Sequence, residues 1–406
     1  MRVAEIKPLT GIRIVACVWI VLHHSTMRHE SVLAAAHPDL WPVLRPVLAP
    51  ATIALDLFFM LSGYVLALNY LTRVGERFDA RTVGTYVWLR ICRIWPVYAL
   101  VLVGAGLLIA LRARQWGSVS TDALTVDSFW RQLLMIQVWG QAKADGTSWS
   151  GPAWSISAEW LAYLLFPVLA LLVLRLRHLL RARTLLVLAH LVMVPLVIQL
   201  LVYGRLAVPY GWSSRVLLDF TAGMLLYAAV DRGAFRGVSS RLVGLLAPAA
   251  FVATLGWFSV VATYGERWMA SLAIFAAPAI LLGLSVGSGP LQRVLATRAF
   301  VVGGGLSFAL YLIHGPAFHL FRDVFRFTRF ALEPVDRVHA ELAFVVVLVA
   351  VAYLIFTRIE EPARRTLQRL PGVLEEQRRP AASPGVPGTG VPGPRAEVAP
   401  RQPART

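Results

Sequence analysis

Four titratable side chains stand inside otherwise apolar stretches, and one of them has a partner at a telling distance. In LTGIRIVACVWIVLHHS, Leu9 to Ser25, Arg13 and His24 are eleven positions apart. That is close to three helical turns, so both lie on one helix face, roughly 16 Å apart along the axis. The other three are Asp56 in ATIALDLFFMLSGY, Glu159 in GPAWSISAEWLAYLLFP and His314 in GGGLSFALYLIHGPAF. In a poorly solvated site a neutral imidazole can take the proton of a hydroxyl as its oxygen attacks a carbonyl. A carboxylate on the other ring nitrogen would fix the tautomer, and Asp56 or Glu159 is placed to supply it. Acylation of the imidazole itself is the other route, and sequence does not separate the two. At the opposite end Arg13, with Arg90 and Arg93 of RICRIWPVY, offers guanidinium forks that suit phosphate.

Each residue also has an ordinary reading. A lone intramembrane histidine, such as His23 or His314, packs helices by bonding to a carbonyl. Asp56 can satisfy free N–H groups at a helix start, and Arg13 can anchor a span end by reaching to the interface. His23 is rotated by about 100° from the Arg13–His24 face and is secondary. Glu159 resists such a reading, because no cation stands near it along its apolar stretch.

The elements that must hold these residues follow from composition. With 57% hydrophobic and 15% charged residues and a mean hydropathy of +0.65, the chain is too apolar for a soluble protein of 406 residues. Apolar runs of spanning length predict an all-α, polytopic membrane protein with ten spans, at about 14–33, 51–71, 94–111, 153–174, 184–203, 215–230, 242–262, 270–286, 303–320 and 341–357. No alternating segments of a β-barrel are present. The first run lacks a cleavage pattern and is read as a retained span. Arginines concentrate on one side, among them Arg73, Arg77, Arg81, Arg90, Arg93, Arg175, Arg181 and Arg241, which puts both termini in the cytoplasm. The net charge of +17 is then an orientation and anionic-lipid signal, and nucleic acid is excluded as a partner. Cys17, in the first span, and Cys92, in an arginine-rich inner loop, face a reducing side and should not pair. Residues 1–370 form the membrane domain, and 371–406, rich in Pro, Gly, Ala and Arg, read as a disordered cytoplasmic tail. No zinc pattern, phosphate-binding Gly loop or nucleophile elbow occurs, and no metal is expected.

Six segments in order carry a family likeness: LTGIR followed by HHS, DLFFMLSGY, RICRIWPVY, WSISAEWLAYLLFP, LSFALYLIHGP and RIEEPARR. Together they make the chain similar to the membrane-bound acyltransferase-3 family over about residues 8–370. Members move acyl groups, often acetyl, from coenzyme A thioesters to hydroxyls of surface glycans, exported polysaccharides or antibiotics. The resemblance implies that Arg13 and His24 are essential to transfer and that Arg90 and Arg93 help bind acyl-CoA from the cytoplasm. It adds Asp56, Trp154, Ser155, Glu159, Tyr311, His314 and Glu360 as matched positions, with Trp154, Ser155 and Tyr311 on the substrate side. Thr10, Phe308 and Glu361 depart from the usual Asp, Tyr and basic residue, which bears on substrate contacts. Some relatives carry an extra-membrane esterase-like domain; none is read here, so a second transfer step is expected to use another protein.

The expectation is an integral cell-membrane O-acyltransferase with acyl-CoA as donor, a carbohydrate hydroxyl as acceptor and His24 as general base. A proton-coupled transporter with His24, Asp56, Glu159 and His314 along its path is the alternative, and the rim arginines favour the enzyme. Trp116, Trp130, Trp139 and Trp149 of the largest outer loop read as an interfacial belt, with sugar stacking the second reading.

Overall fold

The computed structural model describes residues 5–144, 146–328, 330 and 332–369, so the expected tail lies outside the described residues. Ten helical segments are long and apolar enough to cross a bilayer: Lys7–Ala36, Trp41–Glu76, Ala80–Trp116, Trp154–Leu179, Ala182–Tyr203, Gly211–Asp231, Ser240–Tyr264, Met269–Val286, Arg298–Phe327 and Pro334–Leu367. They are numbered first to tenth span. No strand occurs among the described residues, and the fold is all-α.

All ten expected spans coincide with one of these segments, but the helices run further than hydropathy indicated. The third span shows why. Asp79 caps it, accepting N–H bonds from Arg81 and Thr82 at 3.0 Å, and the helix then continues unbroken to Trp116, where Gly117 at φ 58° ends it. Its 37 residues span about 55 Å, well beyond a hydrocarbon core of about 30 Å. Arg90, Cys92 and Arg93 therefore stand on a helix rather than in an inner loop. Cys92 and Cys17 are both buried and unpaired.

Two close crossings set the centre. A Cβ on Gly63 of the second span would lie 1.9 Å from the Phe220 carbonyl oxygen, and one on Gly223 of the sixth span 1.9 Å from that of Met60. The two backbones thus touch through reciprocal glycines, as small residues allow between membrane helices. The first span is held in the same way against the ninth, where a Cβ on Gly304 would lie 1.9 Å from the Thr10 carbonyl oxygen. The fourth span packs on the second and sixth. Residues facing outward are aliphatic, such as Leu107, Val252 and Val346, which suits lipid.

Three departures from regular helix matter. The fifth span is two helices, Ala182–Leu191 and Val194–Tyr203, broken where Pro195 removes a backbone donor. The second span opens with a short helix, Trp41–Leu48, whose last carbonyls are bound from the first span: Trp19 donates to Val47 at 2.8 Å and His23 to Leu48 at 2.9 Å. That is the packing role open to His23. In the tenth span a π-helical turn at Phe356–Glu360 shifts the register just before Glu361–Leu367. In the outer loop the indole of Trp139 donates to the Ser157 carbonyl at 3.1 Å, which pins the loop onto the fourth span, and that of Trp149 to the Ala123 carbonyl at 3.0 Å, which ties two parts of the loop together.

Candidate active site

Two cavities open at opposite ends of the Arg13–His24 face. The larger, about 930 Å³, lies at the N-terminal end of the first span and is lined by Arg13, Arg93, Arg364, Arg365 and Arg369, with Glu5 and Glu361. The π-helical turn turns Glu360 inward, where it is buried and ion-paired with Arg93. Glu361 accepts from Arg364 and Arg365 at 2.6 and 2.7 Å. The Arg13 Nε is buried without a hydrogen-bond partner among the described residues. Arg13 stands within electrostatic reach of Arg93, Tyr163, Glu159 and Glu360. An orphaned guanidinium donor beside a basic cavity is a ready anion site.

Arg90 does not line this cavity. Its guanidinium lies over the rings of Tyr70 and Tyr86, 5.1 and 5.9 Å from their centroids, and donates to the Tyr70 hydroxyl at 3.0 Å. Arg364, Arg365 and Arg369 take the lining role in its place; the basic end of RIEEPARR was the signal that could have found them.

The second cavity, about 270 Å³, is lined by His24, His314, Trp154, Phe318, His319, Arg28 and Arg322. His24 Nδ1 lies 2.8 Å from His314 Nε2, with the two rings 12° from parallel, and His314 Nδ1 lies 2.6 Å from the Tyr311 carbonyl oxygen. A carbonyl only accepts, so His314 carries its proton on Nδ1 and its Nε2 is an acceptor when neutral. His24 must then donate from Nδ1. Its Nε2 is left with a lone pair, on a ring that is exposed to the cavity rather than buried.

The orienting partner of His24 is thus a second histidine and not a carboxylate, which corrects the expectation for Asp56 and Glu159. Asp56 is fully buried in a two-pronged ion pair with Arg215, four residues before Asp219 on the sixth span. Glu159 accepts from Ser62, and from the Tyr163 hydroxyl at 2.6 Å. Neither carboxylate lines the His24 cavity. Ser155 and Tyr311 are likewise buried: their hydroxyls lie 2.8 Å apart, and each bonds the Pro152 carbonyl at 3.1 Å. They clamp the start of the fourth span to the ninth and so hold Trp154 and His314 at the cavity wall. Of the three residues expected on the substrate side, Trp154 alone lines it. Between the cavities the first and ninth spans meet, the Cys17 thiol donating to the Ser307 carbonyl at 3.2 Å.

Residues 6–357 match the acyltransferase-3 family, described as an acyltransferase domain. Acyltransferase MdmB of Streptomyces mycarofaciens is 28% identical over 169 residues, 41% of this chain and 40% of that protein, so the match spans less than half of the relative. No solved structure matches. A multi-pass bundle with a histidine dyad at one end of an arginine–histidine helix and a basic cavity at the other thus carries the family's domain over most of its length, and the chain belongs to the acyltransferase-3 family of acyl-transferring membrane proteins.

Proposed function

We propose that the protein transfers an acyl group, acetyl in the simplest case, from acyl-CoA to a hydroxyl of a carbohydrate acceptor, with His24 as general base. The observation that carries this reading is the His24–His314 bond, which leaves His24 Nε2 unprotonated in an open cavity. Coenzyme A, a cytosolic polyanion, fits the basic cavity, where Arg13, Arg93 and Arg364 supply phosphate ligands. The one-sided arginine excess orients that cavity to the cytoplasm and the protein in the cell membrane. The narrow pantetheine arm runs along the Arg13–His24 face and delivers the thioester to the smaller cavity.

There the acceptor oxygen attacks the thioester carbon while His24 Nε2 takes its proton. The imidazolium is stabilised by its bond to His314. Collapse of the tetrahedral intermediate breaks the carbon–sulfur bond, and the same proton passes to the leaving sulfur. The transporter alternative is disfavoured, since Asp56 and Glu159 are tied to other side chains rather than strung along a path from His24.

The test is product analysis with purified protein, labelled acetyl-CoA and a panel of glycans. Transfer should fall by about 10²–10⁴-fold in His24→Ala, the usual weight of a general base, while CoA affinity is retained. Proton flux without labelled product would favour the transporter, and near-normal transfer by His24→Ala would remove His24 as the base.

A further inference from the structure

A third cavity, about 420 Å³, adjoins the His24 cavity and shares Arg28, His319 and Arg322 with it. Five arginines line it: Arg28 belongs to the first span, Arg112 to the last turns of the third, Arg322 and Arg326 to the ninth and Arg337 to the tenth. Four spans therefore aim guanidinium groups into one space. Arg28 and Arg112 stand close enough to repel Arg322. Two of the five are neutralised: Arg112 by Asp323 at 2.5 Å, which also accepts from Ser118 at 2.7 Å, and Arg322 by Glu341 at 2.9 Å. Arg28, Arg326 and Arg337 have no ion pair among the described residues.

Such a cluster is unfavourable on two counts. Like charges are held together, and they lie on the side opposite the N-terminus, where the orientation signal calls for few arginines. A ligand that repays both costs must be anionic. A carboxylate is satisfied by one guanidinium fork, whereas a phosphate accepts several forks at once.

We propose that this cavity is an acceptor subsite, and that the hydroxyl acylated at His24 belongs to a molecule bearing a phosphate group. The inference rests on the acyltransferase reading above, because the shared walls put the phosphate beside the reacting hydroxyl. The phosphate belongs either to a soluble sugar phosphate or to a lipid headgroup.

The test uses full-length protein in phosphatidylcholine nanodiscs, saturated with CoA so that the arginines of the larger cavity are occupied, with binding followed by calorimetry. Glucose 6-phosphate should bind at least tenfold more tightly than glucuronate or glucose. That preference should be lost in the Arg28→Gln/Arg337→Gln double variant, which orphans no described carboxylate, and kept in Arg131→Gln, whose arginine pairs with Asp127 on the loop surface. Equal binding of glucuronate, or equal binding by wild type and double variant, overturns the proposal. Replacing part of the lipid by phosphatidylglycerol distinguishes the sources: competition in wild type alone marks the headgroup, and its absence the soluble phosphate, both within the proposal. No turnover is involved, so the two readings fail separately. Binding without acyl transfer counts against the enzyme, and transfer without phosphate preference counts against the subsite.

Discussion

In the proposed mechanism His314 orients His24, and that role has a measurable signature. Its Nε2 accepts the His24 proton because its own Nδ1 is committed to the Tyr311 carbonyl. A glutamine side chain at position 314 presents a carbonyl oxygen that can also accept that proton, whereas alanine cannot. Transfer should fall by about 10–100-fold in His314→Ala, the range typical of removing an outer partner that orients an active imidazole, and should be substantially restored in His314→Gln. Single-turnover rates at saturating acyl-CoA, with CoA affinity measured in parallel, check this; equal rates in the two variants would show that hydrogen-bond acceptance is not what His314 supplies. Both histidines were legible in the sequence as titratable groups inside apolar stretches. Their mutual bond was not, because the two rings are 290 positions apart and nothing along either helix says which acceptor each will find. Asp56 and Glu159 were visible for the same reason and misassigned for the same reason: Arg215 was read as the edge of the sixth span, although Arg215 and Asp219 at i, i+4 mark a polar start to that helix.

Helices, unlike contacts, announce themselves. Hydropathy located every span, since each must bury its backbone bonds and present apolar side chains to lipid. What it did not carry was the punctuation: the Asp79 cap that starts the third span early, the break before Pro195 and the π-helical turn that points Glu360 at Arg93. The crossings were also hidden, because Ser62-Gly63-Tyr64 reads as a motif and not as a backbone contact. They can be tested directly. In Gly63→Ala or Gly223→Ala the new methyl meets a carbonyl oxygen of the facing helix at 1.9 Å, and main chain cannot rotate away as a side chain can. Each should destabilise the bundle by about 1–3 kcal/mol or more, the range for overpacking a tight interior. Gly104→Ala, with nothing within 4 Å, should be neutral. Thermal unfolding in detergent, read as loss of the monodisperse size-exclusion peak, separates these outcomes; a Gly63→Ala protein as stable as wild type would show that the second and sixth spans do not meet this closely.

At the scale of the whole molecule, the decisive feature is that two cavities open at opposite ends of one helix face, which in the proposed reaction gives the two substrates separate entrances. The basic cavity opens beside the N-terminal end of the first span and the His24 cavity beside its other end, about 16 Å further along the axis, with the Cys17–Ser307 contact between them. An acyl group taken from a donor at one end and given to an acceptor at the other would cross about half of a hydrocarbon core about 30 Å thick without a diffusing intermediate. In oriented proteoliposomes, labelled product should therefore form when acyl-CoA is on the side of the N-terminus and acceptor on the opposite side, and not when both are supplied on one side. Charge follows the same geometry. In the proposed mechanism the acceptor passes its proton to His24 within bonding reach of the departing sulfur, so that proton can return to the thiolate inside the site and CoA leaves as a thiol. No net charge then moves, and an imposed membrane potential should leave the rate unchanged. Were the proton released on the acceptor side instead, each turnover would carry one charge across, worth about 2.3 kcal/mol per 100 mV. A strong dependence of rate on a potassium diffusion potential would then replace the direct hand-over from His24 to sulfur with a pathway that separates the two proton transfers by the width of the membrane.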